Sequence, residues 1–323
     1  MTLQLAPATS PTIYFVGVST GQSSIMKVFP SWAEHLGLDA TIRGIDLPLD
    51  DDPANYRSVV EFIKRDPLSL GALVTTHKLN LFKASRDLFD KVGADASALD
   101  EISSISKREG QLWGHAMDPL TSGLALQAIT GDRYWTSTGG ELLLLGAGGS
   151  ALALTLHLHR EQQAGRDVPS HVVVTSRGAA RLHEMQKVHQ HIGFAVPITY
   201  CEAAAPDTND TQLATIRPGS VVINGTGLGK DRPGSPLTDS ARFPEHAIVW
   251  DFNYRGDLGF LVQARAQQQE RDLRLVDGWT YFVHGWTRVI AEVFNIDIPT
   301  HGPRFDELSE IALTVGSPSA RTR

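Results

Sequence analysis

Apolar and polar residues follow one another along this chain with periods that switch between two and 3.6, and the switches mark the elements. Residues 12–18 form an apolar, β-branched run that reads as a strand and gives way to a polar loop over 19–24. A helical pattern over 25–36 stops at Gly37, a residue suited to the left-handed turn that ends helices. A second strand over 40–45, a helix over 55–64 and a third strand over 70–75 continue the series. Such alternation implies an α/β fold with a largely parallel sheet covered by helices.

After Asp118 the pattern changes. Residues 119–129 read as a helix, 131–140 as a polar stretch with glycines, and 141–145 as a short apolar strand that runs straight into Gly146-Ala147-Gly148-Gly149-Ser150-Ala151 and a helix to about 159. Further strands are expected over 171–175, 197–200, 220–224, 247–251 and 273–277, and helices over 279–294 and 304–315. A boundary near the 119–129 helix separates residues 1–120 from residues 121–278, and the last helices, which follow the second sheet, make a C-terminal part, 279–323. The 323 residues suit two domains at ~150 residues each. The second is a Rossmann-type doubly wound domain and the first a smaller α/β domain.

Composition narrows the chemistry. With 41% apolar and 20% charged residues the chain can bury a sizeable core, and no apolar run approaches the ~18 residues of a membrane span. The N-terminal segment lacks the basic and apolar regions of a signal peptide, so a cytoplasmic address is expected. The one cysteine, Cys201, excludes an intrachain disulfide. A net charge of −7 argues against nucleic acid and leaves a small-molecule substrate as the partner. The histidines at 157, 159, 183, 189 and 191 have no metal-binding spacing and read as positions on surface helices, so no metal is expected.

The glycine-rich string follows a strand and opens a helix, the context a dinucleotide fingerprint needs. Gly146 permits the tight turn, Gly148 lets the backbone approach a pyrophosphate, Gly149 and Ser150 open the helix whose N–H groups face the phosphates, and Ala151 allows close helix packing. The next strand ends Thr175-Ser176-Arg177, with Arg181 a turn further on, where NAD sites usually carry an acid. Two guanidiniums and a hydroxyl there suit the 2′-phosphate of NADP, so NADP is expected over NAD. Lys78 is expected to stand at the carboxyl end of the third strand, where ligand crevices of parallel sheets form, and Asp118, which precedes the 119–129 helix, near the interdomain cleft.

In order, these features resemble the shikimate dehydrogenase family from about Ile13 to Phe294. The resemblance implies a smaller catalytic domain and an NADP domain enclosing a cleft, with the helices after residue 278 returning to the first. It identifies Lys78 and Asp118 with the catalytic pair, Ser176, Arg177 and Arg181 with the phosphate loop, and the Asn224-Gly225-Thr226-Gly227-Leu228-Gly229 segment with the loop beneath the nicotinamide. Asp277-Gly278 matches the turn before the last helices, and Tyr254 the tyrosine that borders the substrate.

The departures gather at the substrate contacts. Ser23-Ser24-Ile25 keeps the first serine of Ser-x-Ser and loses the second, Ala72 or a deletion replaces an asparagine, and Ser103-Ser104 and Ala116-Met117 each replace Asn-Thr. Gly285 takes the glutamine position beside His284. A site without these amides should discriminate against shikimate. Candidate contacts to a different substrate are Ser19, Thr20, Ser23, Ser24, Ser103, Tyr254, Tyr281 and His284. The expected reaction is hydride transfer between nicotinamide and a secondary alcohol of a polyol or hydroxy acid, Lys78 moving the hydroxyl proton and Asp118 holding the hydroxyl and the lysine. His77 and His115 flank the pair as loop histidines. Alternatives are a shikimate/quinate dehydrogenase proper and a non-catalytic NADP sensor, which would not need the Lys78 and Asp118 pair. The methylenetetrahydrofolate dehydrogenase type also uses a strand-end lysine, but 74–79 offers no stacking aromatic for a pteridine. Oligomeric state is not legible.

Overall fold

The computed structural model describes residues 5–230 and 232–316. The chain divides into two compact units, one made of Met1–Met117 with Val283–Arg323 and the other of Asp118–Phe282. The first unit runs β1 (Thr12–Gly17), α1 (Ile25–Leu36), β2 (Thr41–Asp46), α2 (Pro53–Arg65), β3 (Ser69–Val74), α3 (Lys78–Ser85), β4 (Lys91–Val92), α4 (Ala94–Leu99), β5 (Ser104–Arg108) and β6 (Gln111–His115). The second runs α5 (Asp118–Thr130), α6 (Tyr134–Thr138), β7 (Leu142–Leu145), α7 (Gly149–Gln163), β8 (Val172–Ser176), α8 (Ala179–Ile192), β9 (Ile198–Glu202), α9 (Pro206–Leu213), β10 (Val221–Asn224), β11 (Ile248–Asp251), α10 (Gly259–Arg265), α11 (Gln268–Arg271) and β12 (Arg274–Val276). Helix α12 (Trp279–Phe294) starts in the second unit and carries the chain back into the first, which α13 (Pro303–Gly316) completes.

The first sheet has the order β2-β1-β3-β5-β6-β4. Strands β1, β2 and β3 are parallel, as βαβ connections require, and all six residues of β1 are buried. The sheet is largely parallel, as expected, with two antiparallel pairings in its other half: β5 runs antiparallel to β3 and β6 antiparallel to β5, while β4 pairs parallel with β6. The cause is local. Glu109 and Gly110, at φ 51° and 78°, make a two-residue turn of the kind that closes a hairpin and leaves no room for a crossover helix.

On α1 the residues Ile25, Val28, Phe29, Trp32 and Ala33 recur at helical spacing and bury one face, and Gly37 ends the helix at φ 68°. The indole N–H of Trp32 donates to the Leu308 carbonyl on α13 at 2.8 Å, which satisfies the polar atom of a completely buried ring. Helix α2 starts on an Asp52 cap that accepts from the Ala54 N–H at 2.8 Å, with Pro53 in the first turn.

The second sheet, β12-β11-β10-β7-β8-β9, is parallel throughout. Its apolar runs sort by period two onto opposite faces. Leu142, Leu144, Val172, Val174, Ile223 and Trp250 pack in one cluster, and Leu143, Leu145, Val173, Val222 and Val249 in another. Helix α6 stands within the stretch read from sequence as a polar loop, where Asp167 accepts from the N–H groups of Trp135 and Thr136 at 2.8 and 2.9 Å and so holds its first turn. No helix among the described residues is long and apolar enough to cross a membrane.

Glu292 of α12 ties that helix to the antiparallel half of the first sheet. Its Oε1 lies 2.7 Å from Arg108 Nη2 and 3.0 Å from His115 Nε2, and it accepts from Ser106 Oγ at 3.3 Å. The His115 imidazole, with Arg108 and Ser106 adding to it, holds the Glu292 carboxyl below the usual range against the opposing effect of burial. A depressed carboxyl contributes stability above its unfolded pKa, and that stability is lost as pH falls through the lower folded value. Glu292→Gln is therefore expected to cost about 1–3 kcal/mol at pH 7, read by thermal unfolding, and progressively less below pH 4.

Candidate active site

In a doubly wound sheet ligands gather at the carboxyl ends of the strands where the order reverses, here between β7 and β10. Gly146 leaves β7 at φ 110°, and a Cβ on it would come within 3.0–3.1 Å of Gly225 and Thr226, so only glycine lets the two loops approach this closely. Gly148 caps α7, while Gly149 and Ser150 form its first turn, whose N–H groups face outward along the helix axis. Ala151 is fully buried beneath them.

Ser176 ends β8, and Arg177 follows it, exposed. Arg181 lies on the first turns of α8 but is paired at 2.7 Å with Glu184, and both side chains are more than 60% exposed. In the parallel register Ser176 sits beside Glu202 of β9. Neither carboxylate lies at the end of β8: Glu184 is on α8 and Glu202 on β9, so only the folded sheet brings Glu202 beside Ser176.

Asn224 is fully buried and its amide is spent inside its own loop. It donates to Asp251 Oδ2 at 3.0 Å and accepts from the N–H and hydroxyl of Thr226 at 3.1 and 2.7 Å. Asp251, also fully buried, accepts from the Asn253 N–H at 2.9 Å, while burial pushes its carboxyl up to about 6. Gly229, at φ 86°, bonds to Arg232 and Leu258 through its backbone. Asn224 thus shapes the loop, and Thr226 and the loop's backbone are the parts it presents.

Asp118 is the first residue of α5 and largely buried, its carbonyl accepting from Ser122 Oγ at 2.7 Å. Tyr254 packs against Trp279 and Phe282, with ring centroids 5.4 and 4.8 Å away. Tyr281 lies on the Trp250 and Phe252 rings, at the edge of the apolar core. The Trp279 N–H donates to Asp277 Oδ1 at 2.9 Å, which starts α12 directly after Gly278.

In the first unit Lys78 does not stand at the end of a strand. It is the half-buried first residue of α3, reached by a three-residue turn after β3 in which Thr76 takes φ 59°. For a β-branched residue that is a strained conformation. His77 caps the helix and is 2% exposed, with Nδ1 3.2 Å from Tyr56 Oη and Nε2 3.1 Å from the Leu47 carbonyl. Burial lowers its pKa, so the ring is neutral, and it is no solvated loop histidine.

Of the substrate candidates, Ser19 is exposed and Ser23 and Ser24 are half-buried at the start of α1. Thr20 is buried against Gly44 of β2, its N–H donating to Asp46 at 2.7 Å. Ser103 is buried and accepts from the Met117 N–H at 2.7 Å. His284 is buried and stacked on Phe305 at 4.5 Å, and burial pulls its pKa down to about 4. Another histidine departs from the surface reading: His189 is buried, stacked on Phe194 and bonded to Thr155 and Tyr200. Two grooves, one between α1 and α13 and one beside α6, are lined by none of the candidate residues.

No family model matches the chain. It is similar in sequence to the shikimate dehydrogenase (NADP(+)) of Symbiobacterium thermophilum, 28% identical over 77% of this chain and 76% of that protein. The enzyme of the same name from Methylocella silvestris is 26% identical over 89% and 91%. In fold it resembles the shikimate dehydrogenase of Aquifex aeolicus, with a TM-score of 0.71 at 17% identity over 96% of this chain and 99% of that one. A quinate dehydrogenase from Corynebacterium glutamicum in complex with NAD gives 0.72 at 16% identity over 95% and 99%. The 5-ketofructose reductase of a Gluconobacter strain gives 0.67 at 16% identity over 94% and 98%.

Gly278 offers a direct check on the turn that begins α12. A Cβ there would run into the Phe252 carbonyl, a backbone atom that cannot rotate away. Gly278→Ala is expected to lower stability by about 1–3 kcal/mol in chemical denaturation, whereas Gly285→Ala, whose Cβ would meet nothing within 4 Å, should not destabilise.

Proposed function

As a member of the shikimate dehydrogenase family, the chain is an oxidoreductase of that type with NADP as its cofactor, and we propose that it acts on a secondary alcohol of a polyol or hydroxy acid other than shikimate. The glycine turn at Gly146, with the α7 N-terminus behind it, suits a pyrophosphate, because it offers unpaired N–H groups and a positive dipole end. Ser176 and Arg177 hold the 2′-phosphate, with Arg181 joining them when it leaves Glu184. A bound nicotinamide would supply the hydride chemistry, as donor in its reduced form and as acceptor in its oxidised form. Lys78 takes the hydroxyl proton in oxidation and returns it in reduction, and Asp118 is the carboxylate that the reaction also requires.

The observation that carries the altered substrate is the fate of the polar groups at the positions where the family resemblance puts substrate contacts. Ser103 has its hydroxyl engaged by the Met117 N–H, and Ala116, Met117 and Gly285 offer no amide. Hydroxyls that relied on amides for pairing would be stranded, which discriminates by ~10⁴ or more. The names of the sequence relatives favour a second reading, shikimate itself.

Arg177→Ala is expected to weaken NADP about ten- to a hundredfold and leave NAD almost unchanged in fluorescence titrations, the loss of one charged hydrogen-bond pair. Equal losses for both cofactors would remove Arg177 from phosphate recognition. For the reaction, NADPH absorbance is followed with shikimate, quinate and a panel of polyols, hydroxy acids and their ketones. A shikimate efficiency within ~10⁴–10⁸ M⁻¹s⁻¹ would establish the second reading instead. On the best substrate Lys78→Ala should lower kcat by ~10²–10⁴. Asp118→Asn, which keeps the shape and removes the charge, should also lower kcat.

A further inference from the structure

We propose that His77, clamped by Tyr56 and the Leu47 carbonyl, is the positioning residue that fixes the lysine-bearing turn, and that the strained Thr76 conformation is held by this clamp. The proposal rests on Lys78 as the proton-transfer group and adds the device that aims it.

Proton positions in the clamp follow from one atom. A carbonyl only accepts, so the Nε2 that lies 3.1 Å from Leu47 O carries the hydrogen. In a neutral ring Nδ1 must then accept, and the Tyr56 hydroxyl 3.2 Å away donates to it. The Tyr56 oxygen in turn accepts from the Asp51 N–H at 3.1 Å. Tyr56 is 1% exposed and His77 2%, so neither can substitute water for a lost partner without cost. The carboxylates of Asp50 and Asp51 act on the ring from the loop after β2, and they do not outweigh its burial. Four segments meet at this one imidazole: the end of β1 at Gly17, the loop after β2, helix α2 and the turn before α3.

The strain gives the clamp its purpose. Thr76, next to His77, has a β-branched side chain at φ 59°, a strained conformation that persists only where neighbours over-determine it. His77 also accepts from the Leu81 N–H at 2.8 Å, closing the first turn of α3 around Lys78. With the imidazole fixed, the first residue of α3 has one backbone position. Without it, the turn can relax and carry the lysine with it.

The test reads Lys78 without needing a substrate. Trace acetic anhydride labels amines across pH 6–10, and mass spectrometry follows the peptides bearing Lys78 and Lys83, the latter on the same helix as an internal control. In Tyr56→Phe and His77→Ala, the Lys78 labelling rate is expected to change at least threefold and its pH profile to move, while Lys83 stays unchanged. His77→Gln, which can keep a donor toward Leu47, should restore much of the native profile, and Tyr56→Phe guards against a His77→Ala chain that fails to fold. Lys78 and Lys83 changing in parallel, or Lys78 keeping its native profile in both variants while only the melting temperature falls, would overturn the proposal. Its failure is separable from that of the catalytic reading, which falls if Lys78→Ala keeps full turnover on a confirmed substrate.

Discussion

A parallel strand buried on both faces offers chemistry only at its ends. In this chain β1, β7, β8, β10 and β11 are closed off by helices, and apart from Ser176 at its rim every residue of those strands is buried. The backbone ladders use the N–H and C=O groups within the sheet, so reactive side chains and unpaired backbone donors fall in the turns that follow the strands. The loops after Leu145, Ser176 and Asn224, and the turn that leads from Val74 to Lys78, are placed by that constraint.

Those turns are held by buried polar groups, and this decides which polar residues remain for a ligand. Asn224 and Asp251 close the loop after β10, Ser103 fixes the Met117 N–H, and Tyr56 with His77 fixes the turn before α3. Each is a residue type that invites a functional reading in a sequence, and each meets its hydrogen-bonding requirement inside the fold. A side chain whose partners are already satisfied shapes the turn it sits in.

Charge around the loop after β8 is balanced more closely than the basic sequence there suggests. Arg181 has Glu184 as its partner and Ser176 has Glu202 beside it, while Arg177 is exposed. An exposed pair such as Arg181 with Glu184 is worth ~0–1 kcal/mol.

The sequence by itself determined the α/β class, the alternation of strands and helices, the end of α1 at Gly37 and the glycine turn that opens α7. These are local signals: side-chain period, left-handed backbone demand and strand-to-helix punctuation sit within a few residues of one another. Tertiary structure decided the antiparallel half of the first sheet, because the Glu109 and Gly110 turn has meaning only once two flanking strands pair. It also decided that His77 and His189 are buried and neutral, that Asn224 and Ser103 are occupied, and that Glu184 and Glu202 stand beside the basic loop. A side chain's partners come from strands and helices distant in sequence, and whether a polar group is solvated or spent depends on those partners alone.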